Sequence, residues 1–257
     1  MSHQEWPAAE YAIGSYIQAT IAERYLNRLT IKTTDKVLDV GCGDGNFSKR
    51  ILDRLPYGTL LGIDASENML QLAEEVKKAY PNFSTQQANV TSMNFQGQFD
   101  YLVSFWCLQW SQDIHQAYSH IFHALKKGGK FLTLFPLGDD PYIQSYYAVR
   151  ESQQFPVLNN FTAPVDYSKF ANLEEQLASI PFHSLRIERC QQQLILPSLE
   201  VFRKFVNGIA FYQGQIAAEE IKTINEAMVE HYQKECEANY DGEYQFNLSI
   251  FLITGEK

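Results

Sequence analysis

Basic residues are scarce in this 257-residue chain: 21 Lys and Arg stand against 30 Asp and Glu, a formal net charge of −9. No basic stripe runs through the sequence, which argues against a nucleic-acid substrate, because a phosphate backbone is met by clustered cations. Cysteine is scarce too. Cys42, Cys107, Cys190 and Cys236 lie far apart with no Cys-x-x-Cys pair, a spacing that fits reduced thiols better than a disulfide framework or a zinc site. No apolar run approaches the ~18 residues of a membrane span, and the opening Met1-Ser2-His3-Gln4-Glu5 is polar rather than signal-like. The expectation is a cytoplasmic protein with no membrane insertion. Neither an internal repeat nor a low-complexity tract is present.

Glycine numbers only 14, yet three fall at alternate positions directly after an apolar strand, in Val37-Leu38-Asp39-Val40-Gly41-Cys42-Gly43-Asp44-Gly45. Glycine tolerates positive φ and lets a ligand lie against bare backbone, so this loop predicts a tight turn around a small molecule. A second acidic strand end follows at Leu60-Leu61-Gly62-Ile63-Asp64, 25 positions after Asp39. That is close to the roughly 20-residue interval at which a βαβ unit sets an acid beside a bound ribose.

A dinucleotide does not suit the loop. The third glycine of a nicotinamide or flavin fingerprint is replaced by Asn46, and no Gly-Lys-Ser or Gly-Lys-Thr follows as a P-loop requires. Asp39 and Asp44 would repel a pyrophosphate. They suit a ligand carrying an ammonium and a sulfonium group.

Composition and breakers predict alternating elements: a helix over 8–30, strand 36–40, helix 46–55 ended by Pro56, and strand 58–63. Ser66 is the expected N-cap of the next helix, ahead of the stripe Met69, Leu70, Leu72, Ala73 and Val76. Strands near 83–88 and at 99–105 follow, then a helix over 112–125 closed by Gly128-Gly129, and strand 130–135. Such alternation implies parallel strands with helices on both faces. Beyond Pro136 the rhythm changes. Residues 141–180 read as helical and aromatic, 185–196 as a strand, 198–238 as two helices broken near Gly208 and Gly214, and 244–254 as a last strand.

These residues resemble the class I S-adenosylmethionine-dependent methyltransferases from Val37 to Pro136. Val37–Gly45 is similar to the family's first motif, and Gly62-Ile63-Asp64-Ala65-Ser66-Glu67-Asn68-Met69 to its second, whose acid grips the ribose hydroxyls. Gln87-Ala88-Asn89-Val90 resembles the third, with Asn89 in place of the commoner Asp, and residues 99–105 and 129–136 resemble the fourth and fifth strands. The resemblance implies a Rossmann-like, seven-stranded, mostly parallel α/β sheet with a helical cap inserted before the last strand. One methyltransferase domain would fill residues 1–257: an N-terminal helical lid at 1–32, a cofactor-binding core at 33–137, a cap containing one sheet strand at 138–243, and the last strand at 244–257. It further implies S-adenosyl-L-methionine as cofactor, held by Asp39, Gly41, Gly43, Asp64, Ala65, Met69, Asn89, Val90 and Phe105, with S-adenosyl-L-homocysteine as product. From the residues alone, Met69 reads as packing the helix against the sheet rather than touching ligand, and Cys42 as a small neighbour of the ligand rather than a nucleophile.

Cys107-Leu108-Gln109-Trp110, just after the fourth strand, resembles an element of the subgroup that esterifies carboxylic acids: the juvenile hormone acid, trans-aconitate and malonyl-carrier-protein methyltransferases. The Tyr11 to Gln18 interval resembles the N-terminal helix of the juvenile hormone acid group. By that resemblance Gln18 and Trp110 are the catalytic candidates, donating hydrogen bonds to the carboxylate of a small-molecule or carrier-bound acid. An ionised carboxylate needs no general base. Two alternatives stand beside this reading: a small-molecule O-, N- or C-methyltransferase with its base in the cap, and a catalytically silent module that binds the nucleoside. His115, His120 and His123 have no acidic partner nearby in sequence, and no metal site is expected. Arg150, Arg186, Arg203 and Lys204 are further candidates to meet an acidic substrate. Nothing in the sequence fixes the oligomeric state.

Overall fold

The computed structural model describes residues 15–257. Its strands β1 (Lys36–Val40), β2 (Thr59–Asp64), β3 (Phe83–Gln87), β4 (Phe99–Phe105), β5 (Leu125–Pro136), β6 (Ser184–Ile195) and β7 (Gln245–Glu256) form one sheet in the order β3-β2-β1-β4-β5-β7-β6. The first five strands pair in parallel. β7 runs the other way. Gly128 N–H to Lys257 O (2.7 Å) and Leu137 N–H to Ser249 O (2.9 Å) set it against β5, and His183 N–H to Glu256 O and Leu196 N–H to Tyr244 O (both 2.8 Å) set it against β6. The sheet is therefore Rossmann-like and mostly parallel. Central strands are apolar on both faces, as a parallel sheet demands: Val37, Leu38 and Val40 on β1, and Leu102 and Val103 on β4, are fully buried.

The chain divides into two compact units. The sheet unit comprises residues 22–135, 167–190 and 251–257; the helical unit comprises residues 15–21, 136–166 and 191–250 of the described chain. The sheet unit carries α2 (Ser48–Leu52), α3 (Glu67–Ala79), α4 (Ile114–Ala124) and α6 (Leu173–Leu177); the helical unit carries α5 (Pro141–Glu151), α7 (Leu199–Gly208) and α8 (Ala218–Asn239), while α1 (Tyr16–Glu23) straddles their boundary in sequence. Of the helix expected over 8–30, residues 8–14 lie outside the described residues.

Local chemistry explains several boundaries. Ser66 Oγ accepts the Met69 N–H at 3.3 Å and starts α3, while Asp113 and Asp140 cap α4 and α5, the latter with Pro141 at the first helical position. One boundary differs from the sequence reading. α4 stops at Ala124, Leu125 is extended, and Gly128-Gly129 is not a helix C-cap but part of a β5 irregularity, where the register jumps from Phe99↔Leu125 to Tyr101↔Lys130. A Cβ on Gly129 would stand 2.8 Å from Lys126 O and 3.0 Å from Phe99 O, and Gly128 has φ +75, so this bulge needs both glycines.

Aromatic rings beyond residue 140 fill the helical unit's own core. Tyr146 meets Phe161, Phe211 and Tyr212 at 5.0–6.2 Å, and Phe202 stacks on Tyr232 at 3.9 Å. α7 and α8 are joined by the Arg203–Glu226 ion pair.

Candidate active site

The loop after β1 is shaped by three glycines in the left-handed region: Gly41 (φ +78), Gly43 (φ +56) and Gly45 (φ +74). The N–H groups of Gly41 and Cys42 both donate to Ile63 O, at 2.8 and 3.0 Å. Gly43 N–H donates to Asp64 Oδ2 and Ser66 N–H to Asp64 Oδ1, each at 2.9 Å. The acid ending β2 is thus fixed by backbone donors from two loops. β4 closes the other side. A Cβ on Gly41 would lie 2.4 Å from Cys107 Cβ, and one on Gly62 would lie 2.7 Å from Cys42 Sγ, so the ends of β1, β2 and β4 approach as closely as bare backbone permits.

Asp39, 3% exposed, accepts the Ser48 hydroxyl at 2.6 Å. Burial raises its carboxyl to about 7; the Ser48 bond opposes this and the charge of Asp64 adds to it. Such a group is a carboxylate short of positive charge. Asp44 is used differently: its oxygens accept the Asn46 N–H (3.0 Å) and Asn46 Nδ2 (2.6 Å), so it serves the loop itself. Burial and the neighbouring carboxylates push the Cys42 thiol well up and the Cys107 thiol to about 12. Both stay protonated at neutral pH and neither is poised as a nucleophile.

The end of β3 joins the same group of residues. Ala88 N–H donates to Asp64 O at 3.0 Å and Gln87 Nε2 to Ala65 O at 3.1 Å; Asp64 and Ala65 are themselves half-buried. Asn89 is exposed, but its Oδ1 accepts both the N–H and the hydroxyl of Thr91, at 3.0 and 2.9 Å. Its oxygen therefore serves the turn into Thr91, while its amide nitrogen is a donor. Val90 and Met69 are buried, with Met69 on the packed face of α3.

At the end of β4, Phe105 is buried edge-on to Phe47, 4.8 Å between centroids. Trp106 takes φ +59, an uncommon conformation for a bulky side chain. Its N–H donates to Leu134 O and its carbonyl accepts Gln109 Nε2, both at 2.8 Å. A single 3₁₀ turn, Leu108–Trp110, follows and leaves Trp110 half-buried. Lys169, from the distant turn Tyr167–Phe170, donates to Gln109 O at 2.9 Å and Ser111 O at 2.6 Å.

Asp39, Gly41, Gly43, Asp64, Ala65, Met69, Asn89, Val90, Phe105 and Trp110 all belong to the sheet unit. Gln18, half-buried on α1, belongs to the helical unit, and Tyr11 lies outside the described residues. Trp106 and Lys169 escaped sequence reasoning: a left-handed tryptophan has no sequence signature, and Lys169 meets its carbonyls only through tertiary structure. Two of the three histidines have hydrogen-bond partners other than an acid, His115 Nε2 with Ser179 Oγ (2.9 Å) and His123 Nδ1 with Ser119 O (2.7 Å). Among the described residues no three His, Cys, Asp or Glu side chains gather as metal ligands, and no helix is long and apolar enough to cross a membrane. Arg186 and Arg203 are committed to Glu188 and to Glu200 and Glu226.

Residues 37–129 match the family described as "Methyltransferase domain". The chain is 29% identical over 177 residues to malonyl-[acyl-carrier protein] O-methyltransferase 1 of Ilyobacter polytropus, covering 67% of this chain and 62% of that protein. It is 26% identical over 200 residues to the juvenile hormone acid O-methyltransferase of Bombyx mori, covering 73% and 71%. The match spans 60%, 62% and 50% of the lengths of three of its curated relatives. In fold it is similar to the YcgJ protein of Bacillus subtilis, with TM-score 0.60, 17% identity and coverage of 94% and 98%. A similar likeness, TM-score 0.60 at 18% identity over 97% of this chain and 56% of the other, holds for Haemonchus contortus phosphoethanolamine N-methyltransferase 2 in complex with S-adenosyl-L-methionine. Residues 37–129 thus carry a methyltransferase domain, on a sheet whose fold is similar to those of these solved structures.

Proposed function

We propose that this protein is an enzyme transferring the methyl group of S-adenosyl-L-methionine to the carboxylate of a small-molecule or carrier-bound acid. The observation that carries the donor half is the pairing of a loop whose Gly41, Gly43 and Gly45 all take positive φ with the buried Asp39 carboxyl beside it, raised to about 7 by burial with no cation to offset it. A sulfonium and an ammonium would supply that charge, so the residues fit the group. Asp64 would take the ribose hydroxyls, Gly41 and Gly43 would admit the methionine portion with Ala65 beside it, and Asn89 would meet the adenine edge over Val90 and Met69. The donor supplies an electrophilic methyl carbon on a good leaving group and leaves as S-adenosyl-L-homocysteine.

The chain's own task is to orient the nucleophile and exclude water. Phe105 would wall the transfer position. Trp110 would donate a hydrogen bond to the acceptor carboxylate, aligning one oxygen with the methyl carbon; an ionised carboxylate needs no proton removed. The curated relatives include proteins named for malonyl-carrier, trans-aconitate and juvenile hormone acid O-methylation, which supports a carboxylate acceptor. The proposed setting is cytoplasmic, with neither nucleic acid nor membrane as partner.

The test is incubation of the pure protein with methyl-labelled donor and a panel of fatty, aromatic and tricarboxylic acids. Base-labile label on an acid supports ester formation. Saturable donor binding without transfer to any acid, alcohol or amine would identify a silent binding module. Base-stable product would favour a second reading, transfer assisted by a base in the helical unit, for which Asp140 is the residue to examine. It is buried, its carboxyl is raised to about 6, and its Oδ1 accepts the Tyr142 and Ile143 N–H groups.

A further inference from the structure

We infer that Lys169 is a positioning residue of the acceptor site: its ammonium ties down the main-chain carbonyls on either side of Trp110 and gives that turn the positive charge that suits an anionic acceptor. The inference rests on the carboxylate reading above. Lys169 Nζ lies 2.9 Å from Gln109 O and 2.6 Å from Ser111 O, so the main chain on both sides of Trp110 is held by one cation. An ammonium has three donors and no acceptor, and its bonds to carbonyls are charge-assisted. Lys169 is itself seated, its Nζ 4.9 Å from the Phe170 ring centroid and its carbonyl accepting Gln176 Nε2 at 2.7 Å. The same turn is braced from within by Gln109 Nε2 on Trp106 O.

Both effects act in the same direction. The 3₁₀ turn ends on carbonyls that carry partial negative charge; without the ammonium they would loosen the indole and repel a carboxylate approaching it. With it, the two carbonyls are satisfied and a cation stands against the turn. Lys169 touches neither donor nor acceptor in this assignment, and it acts through Trp110.

The experiment compares wild type, Lys169→Met and Lys169→Arg on whichever panel acid the wild type esterifies fastest, measuring kcat, KM for the acid and, by calorimetry, Kd for S-adenosyl-L-methionine. Lys169→Met is expected to raise KM for the acid about tenfold or more and to lower kcat, with donor Kd within about twofold of wild type. Lys169→Arg is expected to recover most of the loss, and added salt to raise the wild-type KM more than that of Lys169→Met. Unchanged KM in Lys169→Met, or a parallel loss of donor affinity, would overturn the inference, as would Lys169→Arg failing as badly as Lys169→Met while binding donor normally. If Lys169→Met does not fold, Lys169→Gln, which keeps donors and drops the charge, carries the same comparison. A wild type that esterifies no acid fails at the earlier step, and both readings fall together.

Discussion

Cys107 stands where a side chain on Gly41 would have to go, its Cβ 2.4 Å and its Sγ 2.5 Å from the Cβ that any other residue would place there. The end of β4 and the loop after β1 are therefore fitted to each other before any ligand arrives. Gly41→Ala should cost about 1–3 kcal/mol from overpacking, with a further penalty for φ +78, and should abolish donor binding. Pairing it with Cys107→Gly removes the clash but not the unfavourable φ. Thermal melting should show partial recovery in the double variant; full additivity of the two losses would mean the contact is not the cause.

Asp39 predicts a pH signature. Its folded-state carboxyl is raised to about 7 by burial, above its ordinary value near 3.9. The native state thus holds a proton that the unfolded chain has released, and the resulting stability is full below about pH 4 and lost as pH rises through about 7. Asp39→Asn, which never charges, should match wild type near pH 4 and exceed it by about 2–4 kcal/mol above pH 7 in denaturant titrations without ligand. Donor affinity of wild type should climb through the same window and flatten above it. A stability gap independent of pH would contradict this.

Asp140 separates capping from charge. Burial, with the neighbouring Asp139 adding, raises it to about 6, while its Oδ1 accepts two N–H groups at the start of α5. Asp140→Ala loses the cap and should lie about 1 kcal/mol below Asp140→Asn at any pH. Asp140→Asn keeps an acceptor and should gain on wild type as pH rises from about 4 through 6. Equal behaviour of the two variants in melting curves would refute the assignment.

Trp110→Phe keeps the ring and removes the indole N–H. Retained donor Kd with transfer reduced at least about tenfold is the expected result. Unimpaired turnover in Trp110→Phe would remove the indole from the acceptor site.

The sequence was most legible where chemistry is local. Alternate glycines after an apolar strand, an acid at the end of the next strand and Ser66 ahead of an amphipathic stripe each act over a few residues, and β1, the loop, β2 and α3 stand where those signals place them. Gly128-Gly129 misled because the same pair suits a helix C-cap and a β-bulge, and only the partner strand β4 decides between them. Asn89 lies just beyond β3, and the commitment of its Oδ1 to Thr91 depends on how the next residues turn. Lys169 reaches carbonyls at positions 109 and 111 from far along the chain, and Trp106 takes a left-handed conformation set by tertiary contacts. Neither has a periodicity or a motif to betray it.

The most direct measurement is calorimetric titration of S-adenosyl-L-methionine into wild type and Asp64→Ala. One saturable site in wild type, weakened by roughly 1.5–3 kcal/mol, about ten- to a hundredfold, in the variant, is the outcome the strand-end acid and its glycine loop require. No saturable binding, or equal affinity in both proteins, would contradict it.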